Sequence, residues 1–376
     1  MWVEERWRCI VRKILFVILI SFLLIGCEKE PIKVGFIADI STKQSQLGVD
    51  ARNSVELYLN KINLEGGIDG RMIDLIVKDD GSDSVKASEA HREFKDEGVY
   101  FVIGHLTSDM SDAVLNSQGE DLLFLSPSMS TDTLSENDDF FIRTSPINSR
   151  QGKIMSDYCH MNSIKDIVVI YDTSNEEYTK NLMDYFKEFY ENDHFSLKAV
   201  IPFNSKEDDL ENVANKVTQL DPSTVFMISQ ANDTAFITQT IKRTHDIQLL
   251  SVSWSMTHEI IEAGGSAVEG GLFIGIYVPK ENSESYNKFY EEYSEIYNYP
   301  PSFISAITYD AMIVLEEGLK NANNPTPTSV KDAIVEREFH GLQETFRIDK
   351  YGDNDKRYLI YELKDGHFIP LREWEK

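Results

Sequence analysis

The chain has 376 residues and carries 63 Asp and Glu against 37 Lys and Arg, a formal net charge of −26. Phosphate recognition depends on basic neutralisation, so this balance argues against a nucleic-acid partner and otherwise favours solubility. The chain is longer than one ordinary hydrophobic core organises, which makes two lobes the expectation, and among its three cysteines no Cys/His cluster has zinc spacing.

Arg6, Arg8, Arg12 and Lys13 precede an apolar run from Ile14 to Ile25 that only Ser21 interrupts, followed by Gly26-Cys27 and the polar EKEP. The run falls short of the roughly 18 apolar residues a membrane span needs. A basic head, a short apolar middle and a small residue at the end read as an export signal over residues 1–26. LIGC (24–27) resembles the lipobox of bacterial lipoproteins, which implies cleavage before Cys27, acylation of its thiol and attachment to a membrane surface. Cys9 would leave with the signal, so Cys159 would stand alone and no internal disulfide would form.

IKVGFIA (32–38) predicts a strand, and Leu47, Ala51, Val55, Tyr58 or Leu59, and Ile62 recur at helical spacing until Gly66-Gly67 supplies a left-handed C-cap. IDLIVKD (73–79), YFVIG (100–104) and LLFLS (122–126) follow as strands with helices between them. After FIRTSPINS (141–149) the rhythm restarts with DIVVIYD (166–172), LKAVIP (197–202), TVFMIS (224–229), LLSVSW (249–254) and GLFIGIYV (271–278). This alternation predicts an α/β protein with two parallel-sheet units. Helices are expected over 286–297, 303–322 and near 329–337, and the tail from Thr345 alternates like paired strands around Gly-containing turns. No low-complexity segment and no internal sequence repeat appears.

YFVIGHLTSDMSDAVLN (100–116) runs from strand through a Gly turn into a Thr/Ser/Asp cluster that opens a helix. Such a turn presents free N–H groups and short hydroxyls together, so Thr107, Ser108 and Asp109 either cap the helix or hold an anion. His105 beside them reads as a buried, hydrogen-bonded histidine. Asp79, Asp80 and Asp83 read as a strand end turning through Gly81 rather than a metal cluster, and DKYGDND (349–355) as a hairpin turn rather than a calcium loop. No nucleophile, P-loop or metalloprotease motif occurs, so neither an enzyme nor a cofactor or metal is expected.

LGVDARNSVELYLNKIN, GGIDGRMIDLIVKDDGSD, YFVIGHLTSD, LSPSMST, FIRTSPINSRQG, YDTSNEEYTKNL and ITYDAMIVL occur in this order across nearly all of the chain after the signal. Together they resemble the Leu/Ile/Val-binding class of periplasmic binding proteins, fold type I. The resemblance implies two Rossmann-like lobes joined by a three-crossing hinge, one formed by residues 32–145 with 279–343 and the other by 146–278 with 344–376. It implies that Ser108 holds a ligand α-carboxylate, that the Met129 carbonyl meets the ligand ammonium, that Ser130 supplies a hydroxyl and that Tyr178 closes from the second lobe. Leu47 stands where the class often has a bulky aromatic wall. Ser253 or Trp254 stands where amino-acid binders place the acid that pairs with the ammonium. Asp233 and Glu259 read as solvated helix-start residues, yet Asp233 is the leading substitute for that acid. Trp254 fits core packing or stacking on a ligand equally well. The resemblance implies a lipid-anchored solute receptor that captures an amino-acid-like ligand, or a carboxylate or amide, and delivers it to an ABC permease. A sensor that hands its closed form to a signalling receptor and a degenerate enzyme are the alternative classes.

Overall fold

In the computed structural model the described residues are 7, 29–42, 45–117, 122–276 and 283–371; the expected export signal apart from Trp7, the expected acylation site Cys27 and the chain segment 277–282 lie outside them. The first sheet is built from β1 (Ile32–Ala38), β2 (Ile73–Asp79), β3 (Phe101–Ile103), β4 (Leu123–Ser126) and β5 (Phe141–Arg143), ordered β2-β1-β3-β4-β5 with every pair parallel. Its central strands are buried on both faces, which is why they read as unbroken apolar runs. The helices α1 (Gln46–Leu64), α2 (Ser84–Asp96) and α3 (Ser111–Asn116) form the connections after β1, β2 and β3. α1 stops as its sequence predicts: Gly66 and Gly67 take φ of 99° and 75°, and the Gly67 N–H donates to the Ile62 carbonyl at 3.0 Å. Asp83 caps α2, its carboxylate accepting from the backbone of Val85 and Lys86.

The second sheet takes β6 (Ile167–Asp172), β7 (Ala199–Phe203), β8 (Thr224–Ile228), β9 (Gln248–Val252) and β10 (Leu272–Gly275), parallel in the order β7-β6-β8-β9-β10. β13 (Leu359–Lys364) and β14 (His367–Pro370) extend it antiparallel beyond β10. Its helices are α4 (Asn148–Met161), α5 (Glu176–Tyr190), α6 (Leu210–Thr218), α7 (Ala231–Lys242) and α8 (His258–Gly264). Both parallel sheets are wound alike, so the repeat that the sequence lacks is present in the topology. In each, the strand order reverses beside the first strand, between β1 and β3 and between β6 and β8, and such a switch point leaves a crevice at the strands' carboxyl ends.

The chain then returns to the first lobe through α9 (Glu284–Tyr297), α10 (Phe303–Asn321) and α11 (Pro327–Ile334), with α10 packed along α1. Thr326 and Ser329 form a reciprocal capping box on α11, and Pro327 opens the helix. β11 (Arg337–His340) and β12 (Thr345–Ile348) form a separate two-stranded ribbon. β12 thus pairs with β11 and not with β13. The segment DKYGDND is a turn closed by a bridge between Ile348 and Asn354, but its flanking strands go to different sheets, which corrects the hairpin expectation. The reason lies in its side chains, which are committed elsewhere. Asp353 accepts the buried Arg143 guanidinium at 2.6 Å, and the Asn354 amide donates to the Arg143 carbonyl at 3.2 Å. A few residues on, buried Lys356 is ion-paired with Asp310 of α10.

Candidate functional site

A cavity of about 40 Å³ lies between the lobes, and its walls come from the carboxyl ends of both sheets. By the same measure a single water needs roughly 10–15 Å³, so the space suits a small solute. Leu106, Thr107 and Ser108 enter it after β3, Ser128 and Ser130 after β4, and Ser145 after β5. Asn175 and Tyr178 enter after β6, Ser253 and Trp254 after β9, and Ile276 after β10. Leu47 from the first turn of α1, Phe303 and Ile307 from α10, and Tyr358 ahead of β13 complete the wall.

The turn after β3 is set by packing. Gly104 has φ of 123°, and a Cβ there would come within 2.1 Å of the Ile37 carbonyl oxygen, so only glycine lets β3 lie against β1 and still turn. His105 is fully buried, with Nδ1 2.6 Å from Asp80 Oδ2 and Nε2 2.8 Å from Nε2 of His91. Burial pushes the His91 imidazole down to about 3, with His105 adding to the effect, so His91 is neutral at physiological pH. The His105 carbonyl accepts from Ser126 Oγ at 2.6 Å, and Ser126 Oγ accepts from the Met129 N–H at 3.0 Å, which joins the turns after β3 and β4. The expected histidine is therefore structural, and Asp80 is its partner as well as a turn residue.

Ser108 Oγ accepts from the Ser130 N–H at 3.3 Å, and Ser130 Oγ donates to Asn148 Oδ1 at 2.8 Å. Asn148 also donates to the Tyr178 carbonyl at 3.1 Å, so a chain of hydrogen bonds runs from Ser108 to the helix that carries Tyr178. The Tyr178 hydroxyl donates to Gln151 at 3.3 Å and also bonds Ser253; burial raises its pKa. Trp254 is half-buried and meets Tyr178 edge to face, with ring centroids 5.9 Å apart at 81°. Across the cleft, the Asp109 N–H donates to Asn175 Oδ1 at 3.2 Å, and Asp109 Oδ1 accepts from the Glu177 N–H at 2.9 Å. Asp109 therefore caps α5 of the other lobe. Burial, with nearby Glu177 and Glu176, pushes its carboxyl up to about 6 against the pull of that hydrogen bond.

Of the residues singled out in the sequence, the structure brings Leu47, Ser108, Ser130, Tyr178 and Trp254 together on one cavity. It does not bring Asp233 or the Met129 side chain to it, although the expectation for Met129 concerned its backbone carbonyl, which lies in the turn between Ser128 and Ser130. The Met129 side chain is fully buried in the core of the first lobe. Asp233 is buried rather than solvated in the first turn of α7; it accepts from Gln230 Nε2 at 3.0 Å, and burial pushes it up to about 6. Glu259 stands half-buried at the rim, where a second hollow is lined by Gln46, Gln230, Asn232 and Thr257 and shares Leu47 and Trp254 with the main cavity. Among the described residues, none that lines the main cavity is an acid or a base. Sequence reasoning missed Asn175, Phe303, Ile307, Ile276 and Tyr358. Asn175 alone left a signal, because YDTSN repeats the strand-to-helix grammar of GHLTS.

A family model described as a periplasmic binding protein matches residues 31–367. The leucine-, isoleucine-, valine-, threonine- and alanine-binding protein of Pseudomonas aeruginosa is 21% identical over 349 residues, with 91% of this chain and 92% of that protein covered. Leu/Ile/Val-binding protein homolog 2 of Brucella abortus is 24% identical over 351 residues, with the same coverage of 91% and 92%. Among solved structures, the leucine binding protein LivK of Thermotoga maritima superposes with a TM-score of 0.82 at 23% identity, covering 90% of this chain and 97% of that one. An ABC transporter solute binding protein from R. palustris, in complex with benzoate, has a TM-score of 0.82 at 19% identity, covering 91% and 95%. At these identities the structural likenesses carry the two-lobed fold.

Proposed function

Because this chain belongs to the periplasmic binding protein family, we propose that it is the extracytoplasmic receptor of an ABC uptake transporter, which captures a small ligand of the branched-chain amino acid, carboxylate or amide class between its lobes. The observation that carries this reading is the shared cavity: Ser108 and Ser130 come from one sheet and Tyr178, Ser253 and Trp254 from the other, so neither lobe alone offers the full set of contacts. A ligand held by both halves binds the closed form better than the open one, and only such a difference drives closure. Ser108, Ser130 and Tyr178 then supply polar contacts, while Leu47 and Trp254 pack on the apolar part. None of the lining serines is hydrogen-bonded to a histidine, lysine or carboxylate among the described residues, which suits binding rather than nucleophilic turnover.

The lobes we propose are residues 32–145 with 279–343 and residues 146–278 with 344–376. The export signal over 1–26 and acylation of Cys27 complete the reading by placing the receptor at a membrane surface next to its permease. The test is a thermal-shift screen of branched-chain amino acids, their amides and small carboxylates. A ligand present at a hundred times its Kd adds about 2.7 kcal/mol to the folded state. Small-angle scattering with each hit should then give a smaller radius of gyration. Hits that leave the radius unchanged, or a screen without hits, would sink the proposal.

A further inference from the structure

The cavity gives hydrogen bonds more readily than it takes them. Thr107 Oγ1 and the Asn175 amide NH2 have no acceptor among the described residues, and Ser108 Oγ accepts one bond and gives none. Three carbonyls at the same wall are engaged. The Leu106 carbonyl takes Ser128 Oγ at 2.6 Å, the Thr107 carbonyl takes the Met110 N–H at 3.1 Å, and the Ser130 carbonyl takes the Asn148 N–H at 2.8 Å. On the opposite wall the Ser253 carbonyl takes the Met256 N–H at 2.9 Å. No carboxylate lines the space among the described residues: Asp233 is turned to Gln230, and Glu259 faces the rim hollow beyond Leu47 and Trp254, where its carboxylate accepts the Thr257 hydroxyl.

A ligand ammonium brings three donors and no acceptor, so in this cavity it would be buried without a counter-charge, with only neutral hydroxyl and carbonyl oxygens to meet it. A carboxylate is acceptor-only and matches the unspent hydroxyl and amide hydrogens. Resting on the solute-receptor reading above, we propose that this cavity selects apolar organic acids that carry no α-ammonium group, with the carboxylate at Thr107, Ser108 and Asn175 and the hydrocarbon against Leu47, Trp254 and Phe303. Selection then works as it does in other donor-built sites, where the wrong group is rejected because polar atoms are left unpaired.

Calorimetric titration of the purified protein with matched pairs decides the matter, using L-leucine against isocaproate, L-phenylalanine against hydrocinnamate, and the amides of both acids. The acid should bind at least tenfold tighter than its amino acid. Installing an acid in the wall, as Ser253→Asp, should reverse that order. An amino acid that binds as tightly as its acid overturns the inference and leaves the receptor reading intact; so does a preference for the amide. Binding of the amino acid that Glu259→Gln abolishes overturns it too, by showing that the rim acid reaches the ligand. Failure of every compound to bind would overturn the receptor reading, and this inference with it.

Discussion

Removing the charge of Asp109 should tighten ligand binding at neutral pH and abolish its dependence on pH. In the closed arrangement this carboxylate is half-buried at the cleft, where it accepts the Glu177 N–H at 2.9 Å and faces Glu176 and Glu177, with Lys206 opposing them. Burial is the largest influence and raises the carboxyl to about 6 from an ordinary 3.8. Each pH unit of that difference is worth about 1.4 kcal/mol, so the ionised group disfavours closure by at most ~3 kcal/mol. Solvent screening of a half-buried charge reduces this to roughly 1.5 kcal/mol, about tenfold in Kd. The attraction of an anion to the start of α5, about 0.3–1 kcal/mol, is already outweighed. The sign follows from proton binding. With the closed-state pKa raised above that of the open state, closure takes up a proton between about pH 4 and 6, so affinity is greatest below that window and falls as pH rises through 6. Asp109→Asn keeps an oxygen for the Glu177 N–H and drops the charge. Titrated with one ligand from pH 4 to 7.5, the variant should bind about tenfold tighter at the upper end, and the two proteins should converge toward pH 4. Parallel pH profiles, or a variant weaker at pH 7.5, would refute the reasoning.

Ser108→Ala should weaken a bound carboxylate by roughly 1.5–3 kcal/mol, the scale of a hydrogen bond to a charged group, and leave the Ser130 N–H without its acceptor; calorimetry reads the first effect and a modest fall in Tm the second. Asp310→Ala strands the buried Lys356 ammonium and should cost about 3–5 kcal/mol in urea unfolding, whereas the double change Asp310→Leu with Lys356→Met should recover most of it. Cys27→Ser should release the protein from membranes or block its processing; an unchanged mass together with full membrane retention would refute the anchor.

The sheets were legible in the sequence because strands buried on both faces have to be apolar throughout, as IVVIYD and TVFMI are. The ribbon strand β11 escaped because it is REFH, mostly exposed and polar, and is held by its partner strand rather than by a pattern of its own. The site divides along similar lines. Ser108 and Tyr178 follow strands directly, so local grammar places them at a sheet's edge. Phe303, Ile307 and Tyr358 reach the cavity from segments far away in the chain, and their apolar character is also that of ordinary core residues. Asp233 misled for a physical reason. An acid in a helix's first turn commonly lies in water, and here a glutamine one turn away lets it be buried. Trp254 left two roles open, and the structure gives it a face on the cavity as well as a packing partner in Tyr178.

Arg143 ends the last strand of the first sheet just before the chain crosses over, and its guanidinium grips Asp353 on the chain's final return at 2.6 Å and the Thr131 carbonyl of its own lobe at 2.7 Å. The Asp310–Lys356 pair braces the same return from the side of α10. Under the proposed hinge closure these pairs would act as a fulcrum, because atoms close to a pivot travel little while the rim of a lever sweeps through ångströms. Both strong ion pairs can therefore survive a swing of the lobes, and their buried charges are largely shielded from dissolved salt. The balance between open and shut is left to the rim, where Asp109, Asn175 and Glu177 meet through hydrogen bonds of ordinary strength. A joint built this way separates durability from responsiveness: the bearing resists wear, and small forces at the lip, those of a ligand or a proton, are enough to turn it.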